Sequence, residues 1–323
     1  MRKKLMYGVM AIAMMASILT GCSESKKEFP SKEITVVVPW NPGGTNDLMA
    51  RALQPVFKEK FNVELVVKNS AGGGSAVGIT EVLTSKPDGY TVGLASSSFL
   101  ALVAQGKAEA DISNMENICL VAEEPVVLVA KGNGKYQDAQ SFISAAKEKK
   151  ESVSIGVPGS NNVNQAYATL LGEAADADFL FMPFDGGSRV ITEILGGHVD
   201  AGALKPSEVI SQVRTGDLVI LGVFNKEGLS SVPEVPTFES LGYDVFTLGQ
   251  LKQVSYIMAP EKIGTEEKEK LASMFKEALE SETFKAFAEE SGLISEPITG
   301  ELDAYIADVY AGLEKASQEI WSQ

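Results

Sequence analysis

The chain has 323 residues, 45% of them hydrophobic, which is enough to bury a sizeable core and to form about two domains. This composition excludes a disordered or fibrous protein. The formal net charge of −15 at pH 7 excludes nucleic acid as a partner, because phosphate binding needs basic surface.

The first 21 residues have the features of an export signal. A basic start at positions 2–4 precedes an apolar stretch from Val9 to Ile18, which is too short to span a bilayer comfortably. The stretch ends in Leu-Thr-Gly-Cys, which resembles the lipobox of bacterial lipoproteins, where the cysteine is lipidated and becomes the mature N-terminus. We therefore predict a lipoprotein signal peptide over residues 1–21, lipidation at Cys22 and a tether over residues 22–31. The alternative is an uncleaved anchor in which Cys22 is incidental.

The second cysteine, Cys119, has no partner for an internal disulfide if Cys22 is lipidated. It lies in the apolar run ICLVA, which predicts a buried structural cysteine rather than a reactive thiol. A zinc site is equally unsupported, because His198 is the single histidine of the chain.

Beyond the tether, strand-like and helix-like segments alternate along the chain. We predict strands over Ile34–Val38, Val63–Lys68, Tyr90–Ala95, Asn117–Val121, Val126–Ala130, Ser152–Val157, Phe179–Pro183, Val199–Leu204, Leu218–Val223 and Gln253–Met258. We predict amphipathic helices over Thr45–Phe61, Ala139–Lys149, Asn162–Ala174, Gly187–Leu195 and Pro206–Arg214, and a helical C-terminal part over Glu266–Gln323. The alternation predicts βαβ units and mostly parallel sheets covered by helices, arranged as two α/β lobes with a helical C-terminal return.

Two of the predicted strands are followed by corners rich in proline, glycine and asparagine. The corners read VPWNPGGTND from Val38 and GVPGSNNVNQ from Gly156. In an open parallel sheet, ligands bind outside the carboxyl ends of the strands, where a helix N-terminus offers unpaired N–H groups and a positive dipole end. The two corners could therefore hold an anion without any basic side chain. The alternative at each corner is a turn with ordinary helix caps.

Two further corners have a similar composition. Ser96, Ser97 and Ser98 follow a strand in GLASSSFLAL, and Phe184–Ser188 follow a strand in MPFDGGSRVI. Serine hydroxyls both donate and accept hydrogen bonds, so these corners add candidate ligand contacts. Ordinary helix caps are again the alternative.

The chain lacks the sequence motifs of the enzyme classes that these corners could suggest. The stretch NSAGGGSAVG follows a strand, but with Gly72 and Gly74 aligned to a dinucleotide fingerprint the third glycine position is Val77, and Gly78 is one residue late. The chain has neither a GK[ST] phosphate loop nor a G-x-S-x-G nucleophile elbow. A Ser/His/Asp site would have to use His198, which is predicted at the opposite end of the strands from the corners. The sequence therefore predicts a binding protein without cofactor or metal, and not an enzyme.

Six motifs occur in the order ITVVVPWNPGGTNDLMARAL, VVKNSAGGGSAVG, KPDGYTVGLASSS, SIGVPGSNNVNQAYATLLGE, MPFDGGSRVITEILGGHVDAG and SVPEVPTFESLGYDV. In this order they resemble the substrate-binding proteins of tripartite tricarboxylate transporters, the Bug or TctC-like family. The resemblance covers essentially the whole mature chain, and the first and fifth motifs together are quite specific. It implies a type II periplasmic-binding-protein fold, with two Rossmann-like lobes that close on a small organic carboxylate.

The resemblance also implies one set of ligand contacts in each lobe, made mainly by backbone N–H groups, hydroxyls and waters. These sets lie within Trp40–Asp47 and Ser96–Ser98 of lobe one, and within Pro158–Gln165 and Phe184–Gly187 of lobe two. The expected contacts in lobe one are Trp40, Asn41, Gly43, Gly44, Thr45, Asp47, Ser96, Ser97 and Ser98. Those in lobe two are Pro158, Gly159, Ser160, Asn161, Asn162, Asn164, Gln165, Phe184, Asp185, Gly186 and Lys205.

Three charged residues leave the identity of the carboxylate open. Family members often have lysine at the position of Asp185, and an acid there would not favour a second ligand carboxylate. Lys205 and Arg189 are among the few cations near the predicted cleft, and either could pair with a distal carboxylate of the ligand. Lys205 could instead pair with Asp185, and solvated surface charge is the alternative for each. Mono-, di- and tricarboxylates and amino acids all stay open as ligands.

The predicted lobes divide the chain at two crossings. Residues 32–124 and 251–323 are assigned to lobe one and residues 125–250 to lobe two, with hinges near 123–127 and 247–253. The resemblance implies an exported protein, anchored by lipid to the outer face of the bacterial cytoplasmic membrane. Its implied partners are the large and small membrane subunits of a tripartite tricarboxylate transporter. A sensory binding protein that reports carboxylate occupancy to a membrane histidine kinase is the alternative.

Overall fold

The structure is a computed structural model of the chain, and it describes residues 28–108, 112 and 115–321. The predicted signal peptide, the predicted lipidation site Cys22 and most of the predicted tether lie outside the described residues. Within the described part of the chain, no helix has the length and apolar composition needed to cross a membrane.

Strands and helices alternate through most of the described chain. The strands are β1 (Ile34–Val38), β2 (Leu65–Asn69), β3 (Thr91–Ser96), β4 (Met115–Glu124), β5 (Val126–Lys131), β6 (Val153–Pro158), β7 (Phe179–Phe184), β8 (Ala201–Leu204), β9 (Leu218–Phe224) and β10 (Gln253–Pro260). The helices are α1 (Thr45–Phe61), α2 (Ala76–Leu83), α3 (Ser97–Ala104), α4 (Ala139–Glu148), α5 (Val163–Ala175), α6 (Gly187–Gly196), α7 (Pro206–Thr215), α8 (Thr265–Leu279), α9 (Glu282–Ser291) and α10 (Leu302–Ala316). A 3₁₀ turn at Gly73–Ser75 precedes α2, and a π-helical turn at Ser317–Trp321 follows α10.

The strands form two five-stranded sheets of the same design. The strand order is β2-β1-β3-β10-β4 in the first sheet and β7-β6-β8-β5-β9 in the second. The three leading strands of each sheet pair in parallel, whereas β10 and β5 run antiparallel to both of their neighbours. Lobe one hereafter denotes the first sheet with α1–α3 and α8–α10, and lobe two denotes the second sheet with α4–α7. Each sheet is therefore mixed: four of its strands run in one direction, as predicted, but the fifth opposes them, so half of the strand pairings are antiparallel.

All the predicted strands form, with ends that differ by a few residues. The largest difference is at β4, predicted over Asn117–Val121 and observed over Met115–Glu124. The extra length comes from antiparallel pairing with β10, which runs from Gln253 opposite Glu124 to Pro260 opposite Met115. This pairing joins residues far apart in the chain, so the local pattern could not predict it.

The two crossings between the lobes lie side by side. The first is at Pro125, the single residue between β4 and β5, and the second is the segment 225–252 between β9 and β10. Because Glu124 pairs with Gln253, the end of β4 and the start of β10 are adjacent in the sheet of lobe one. A change in the angle between the lobes would therefore need backbone rotation at only a few residues.

Each sheet is covered by helices that bury apolar side chains. In lobe one, Phe57 of α1 packs against Phe275 of α8, with ring centroids 4.8 Å apart. Cys119 of β4 lies in the same core, and its burial raises the pKa of its thiol to about 12. The prediction of a buried structural cysteine is confirmed.

Candidate ligand-binding cleft

A cavity of about 110 Å³ lies between the two lobes, beside the carboxyl ends of their parallel strands. A single water needs only ~10–15 Å³ on this kind of measure, so the cavity has room for a small ligand. The expected contact residues that line it are Trp40, Asn41, Gly44, Thr45, Ser96, Ser98, Pro158, Asp185, Gly186 and Lys205. Those that lie outside its lining are Gly43, Asp47, Ser97, Gly159, Ser160, Asn161, Asn162, Asn164, Gln165 and Phe184.

The corner after β1 is held in shape by Asp47, which does not itself line the cavity. Asp47 Oδ2 accepts from the Gly43 N–H and from Arg51 Nε, both at 2.9 Å, and Oδ1 accepts from Asn69 Nδ2 at 3.0 Å. The Asn69 amide also donates to the Trp40 carbonyl at 3.1 Å. Burial acts to raise the pKa of the Asp47 carboxyl, but the hydrogen bonds from Arg51, Gly43 and Asn69 bring it below its usual value. Asp47 therefore fixes the corner as an ionised carboxylate.

This corner presents the N-terminus of α1 to the cavity. Gly43 has a φ of +85°, a conformation that favours glycine, and Gly44, Thr45 and Asn46 follow it into the cavity lining. The first bond within α1 runs from the Leu48 N–H to the Gly44 carbonyl at 3.0 Å, so the earlier N–H groups have no partner within the helix. These N–H groups and the positive end of the helix dipole favour a negatively charged ligand atom.

The three serines at the start of α3 have different positions. Ser96 and Ser98 line the cavity, and the Ser96 hydroxyl is buried without a hydrogen-bond partner in the described part of the chain. Ser97 does not line the cavity, because its Oγ donates to the Lys252 carbonyl at 2.7 Å and accepts from the Val254 N–H at 2.8 Å. Ser97 thus joins α3 to the start of β10, while Ser96 and Ser98 contribute to the cavity lining.

The corner after β6 has most of its polar groups bonded within the protein. Asn162 Oδ1 accepts from the Gln165 N–H at 3.0 Å and so caps α5, while Asn162 Nδ2 donates to the Pro158 carbonyl at 2.8 Å. Asn164 Nδ2 donates to the Ala203 carbonyl at 3.0 Å. Of the corner residues 158–165, all of which are described, Pro158 is the one that lines the cavity.

A pair of amide hydrogen bonds also joins this corner to lobe one. Asn161 Nδ2 donates to Gln105 Oε1 at 3.0 Å, and Gln105 Nε2 donates to the Asn161 carbonyl at 2.9 Å. We call these two bonds the amide latch. At a second place between the lobes, Thr45 Oγ1 and Ser207 Oγ are 3.3 Å apart. The lobes are therefore in contact through uncharged side chains at both places.

Lobe two instead presents the corner after β7 to the cavity. Asp185, Gly186, Gly187 and Ser188 line it, the last two at the N-terminus of α6. Gly186 has a φ of +96°, and a Cβ on Gly187 would collide with the Glu208 carboxylate. Of the helices that follow β6 and β7, it is therefore α6 and not α5 whose N-terminus lines the cavity. The reason is that the polar groups preceding α5 already have partners within the protein.

Lys205 lines the cavity beside a buried acid at the end of β4. Its Nζ lies 3.9 Å from Oε2 of Glu124, and the two side chains are 12% and 2% exposed. Burial raises the pKa of the Glu124 carboxyl, partly offset by Lys205 and by the hydrogen bond from Ser207. The Ser207 N–H donates to Glu124 Oε1 at 3.2 Å. Lys205 thus pairs with Glu124, and the alternative of a pair with Asp185 is wrong.

Some lining residues were not among the individual contacts expected from the sequence. Pro42, Asn46 and Gly187 lie inside the expected ranges but were not singled out, and the motif MPFDGGSRVI that contains Gly187 also continues to Ser188. The remaining unexpected residues are Glu208, Gln253, Val254 and Ser255. Those of β10 reach the cavity only because β10 inserts into the sheet of lobe one, and no local pattern signals that position.

The charged side chains in the lining are Asp185, Lys205 and Glu208. Within the described part of the chain, no group of His, Cys, Asp and Glu side chains is arranged to hold a metal ion. His198 does not line the cavity, and its Nδ1 lies 2.7 Å from Glu193 Oε2. An anion in this cavity would therefore be held chiefly by backbone N–H groups and hydroxyls.

Two α/β lobes, joined by adjacent crossings and enclosing a cavity built from helix N-termini, define a bilobed solute-binding protein. The family model described as Tripartite tricarboxylate transporter family receptor (TctC) matches residues 49–311. The chain belongs to this family. Its members are solute-binding receptors, so the predicted resemblance and the prediction of a binding protein rather than an enzyme are confirmed.

Relatives and solved structures agree with this assignment. Protein BugT of Bordetella pertussis is 27% identical over 226 residues, which cover 69% of each chain. The periplasmic binding protein BugD matches with a TM-score of 0.80 at 22% identity, over 90% of this chain and 97% of BugD. MatC of Rhodopseudomonas palustris with bound malate matches with a TM-score of 0.77 at 23% identity, over 90% of this chain and 98% of MatC. These similarities confirm the predicted two-lobed periplasmic-binding-protein fold.

Proposed function

We propose that this protein is an exported lipoprotein that captures a small organic carboxylate between its lobes and delivers it to a tripartite tricarboxylate-type membrane permease. The observation that carries this proposal is the convergence of the α1 and α6 N-termini on one cavity from different lobes. Membership of the receptor family and the malate bound to MatC support a carboxylate as the ligand.

The proposed ligand contacts are local dipoles rather than long-range attraction. The net charge of −15 repels an anion at a distance, although salt at ~0.15 M screens most of this field beyond about 8 Å. Inside the cavity, the N–H groups at the starts of α1 and α6 and the hydroxyls of Ser96 and Ser98 would bond the carboxylate oxygens. Hydrogen bonds are electrostatically stronger in such a water-poor site than in water.

Closure of the lobes would couple binding to delivery. A carboxylate bonded to both helix N-termini interacts fully only when the lobes are together, so it shifts the protein towards the closed arrangement. We assign residues 32–124 and 251–323 to one rigid unit and residues 125–250 to the other, with Pro125 and the end of the segment 225–252 as hinges. The membrane subunits of the permease would recognise the closed form.

Lipid on Cys22 would keep the receptor close to its permease. Tethering raises the effective concentration of a binding partner without any new contact. Replacing Cys22→Ser should move the protein from the membrane fraction to the soluble fraction while leaving ligand affinity unchanged. Membrane retention of that variant would contradict the proposed anchor.

The ligand class can be tested by thermal unfolding of the chain from Ser23 onward in the presence of small carboxylates. A ligand at 100 times its dissociation constant adds about 2.7 kcal/mol to the free energy of unfolding, and so raises the melting temperature by several degrees at most. Calorimetric titration of each positive compound gives its affinity. If a sugar or a cation shifts the melt while no carboxylate or amino acid does, the proposed function is wrong.

A further inference from the structure

We infer that the ligand of this cavity carries a positively charged, hydrogen-bond-donating group in addition to its carboxylate. Its chemical class would then be an amino-carboxylate and not a plain di- or tricarboxylate. The inference rests on the proposed function and adds three specificity-determining side chains to it, those of Asp185, Glu208 and Gln253.

Gln253 lines the cavity and has a buried acceptor without a partner in the described part of the chain. Asn164 Nδ2 donates to the Ala203 carbonyl at 3.0 Å, which makes Asn164 Oδ1 the acceptor for Gln253 Nε2 at 3.1 Å. This chain of bonds fixes the orientation of the Gln253 amide, whose Oε1 is buried without a partner in the described part of the chain. Gln253 lines the cavity and is 8% exposed.

An amide oxygen can only accept a hydrogen bond, and a buried acceptor left unpaired is costly. A carboxylate placed beside Gln253 Oε1 offers no donor and would add repulsion between oxygen atoms. An ammonium group placed there offers N–H donors and a positive charge. Gln253 therefore selects for a donor on the ligand.

The charged side chains of the lining also favour a positively charged group on the ligand. Asp185 has no hydrogen bond or ion pair with another described residue, and it is exposed to the cavity. Glu208 Oε2 accepts a hydrogen bond from the Lys205 backbone N–H at 3.0 Å, and Glu208 Oε1 takes no part in that bond. Lys205, the ammonium group of the lining, already faces Glu124 at 3.9 Å.

A second carboxylate on the ligand would therefore meet two acids and no unpaired cation in the lining. Like charges brought together in a partly buried site disfavour each other, whereas an ammonium group would be attracted to Asp185 and Glu208. Trp40 also lines the cavity, and the face of an indole ring attracts a cation. The N-termini of α1 and α6 would hold the carboxylate while these acceptors hold the ammonium group.

Matched pairs of probes test the inference by calorimetric titration of the chain from Ser23 onward. The pairs are butanoate with 4-aminobutanoate, propanoate with alanine, and succinate with aspartate, each differing by one amino group. In at least one pair we expect the amino compound to bind about tenfold tighter or more, as a charge-assisted hydrogen bond provides. If carboxylates bind but no amino compound is preferred, the inference is wrong and the proposed function stands. If no compound of either kind binds, both are wrong.

Variants then test the residues. Asp185→Asn and Glu208→Gln each remove one negative charge, and Glu208→Gln keeps an oxygen for the Lys205 N–H. Together they should lower the preference for the amino compound by about tenfold and raise the affinity for succinate. The control Glu234→Gln removes an exposed acid outside the cavity lining and should change neither affinity. A preference that survives the double variant, with an unchanged melting temperature, would overturn the assignment of these side chains.

Discussion

The corners after β1 and β6 occupy equivalent places in two sheets of the same strand order, yet their polar groups have different hydrogen-bond partners. In the corner after β1, a buried carboxylate behind the loop holds the backbone, and the start of α1 is open to the cavity. In the corner after β6, the side chains of Asn161 and Asn164 are bonded to other parts of the protein, and that of Asn162 is bonded within the corner. Similar sequences therefore build a corner that lines the cavity in one lobe and an inter-lobe contact in the other.

The difference arises from the partners that surround each corner. The corner after β1 is supported from behind by Arg51 and Asn69, so its front remains free. The corner after β6 faces Gln105 of lobe one, which bonds the side-chain amide and the backbone carbonyl of Asn161. In lobe two the open helix N-terminus is consequently found at the next corner along, after β7.

The strongest way to test this contrast is Asp47→Ala. Loss of the carboxylate removes the acceptor of the Gly43 N–H and one of the two acceptors of the Asn69 amide, so we expect a loss of about 2–3 kcal/mol in the free energy of unfolding. The loosened corner should also weaken ligand binding by about tenfold. Urea unfolding and calorimetric titration measure the two effects. Unchanged affinity in a destabilised variant would show that this corner does not shape the site.

The pH dependence of stability is a second test of the role of the Asp47 carboxylate. Its folded-state pKa is lowered, so the stabilisation that it provides is fully present above its unfolded-state pKa of ~3.9 and is lost as the pH falls through the folded-state value. The difference in unfolding free energy between the wild type and Asp47→Asn should therefore shrink below pH ~4. Urea unfolding between pH 7 and pH 3 measures it. A difference that stays constant would contradict the lowered pKa.

The corner after β1 packs closely against Gly78 of α2, on the side away from the cavity, so a larger residue at position 78 should disturb it. A Cβ at this position would lie 2.7 Å from the Ser70 carbonyl oxygen and 2.8 Å from Pro39 Cβ, at the start of the corner. Gly78→Ala should cost about 2 kcal/mol in stability, because the backbone must move, and should weaken binding as well. Gly300→Ala, whose Cβ would have no neighbour within 4 Å, is the matched control. Equal melting temperatures for the two variants would contradict the close packing.

A smaller effect is expected in the corner after β6. Asn162→Ala removes the cap of α5 and should lower the free energy of unfolding by about 1 kcal/mol. Ligand affinity should not change, because Asn162 does not line the cavity. A substantial loss of affinity in calorimetric titration would mean that this corner contacts the ligand, as the sequence predicts, and would erase the contrast between the lobes.

The smallest effect concerns the amide latch. Gln105→Ala removes both of its hydrogen bonds and should weaken ligand binding by about threefold, since the lobes then close against less favourable contacts. Stability against urea should fall by less than ~1 kcal/mol because Gln105 is partly exposed. Small-angle X-ray scattering without ligand should report a more open average shape. An unaltered scattering curve and affinity would show that the latch does not influence closure.

The sequence predicts the elements of this fold well, because hydrophobic periodicity is a local property. Helix α1 begins at Thr45 and ends at Phe61 as predicted, and every predicted strand is present. The direction and sheet position of β5 and β10 could not be predicted in the same way. Their places follow from pairing with strands on both sides, including strands that lie far away in the chain.

The site was predictable at the level of corners but not of individual contacts. Glycine and capping residues correctly marked the places where helix N-termini occur, including the start of α6. Whether a polar side chain remains free depends on distant partners, as Asn161 depends on Gln105 and Asn164 on Ala203. For the same reason, the sequence could not predict that Gln253 and Glu208 line the cavity, because neither residue belongs to a recognisable motif.

Two of the contacts that join the lobes beside the cavity carry no formal charge, and the charged pair of Lys205 and Glu124 is largely buried, where salt screens it much less than at a surface. The amide latch joins two carboxamide residues, and the Thr45–Ser207 contact joins two hydroxyls. Dissolved salt weakens ion pairs at a protein surface by screening, but it has little effect on hydrogen bonds between neutral groups. The proposed export would place the receptor at ionic strengths that the cell does not regulate. Its opening and closing should accordingly keep the same balance in dilute and in saline surroundings.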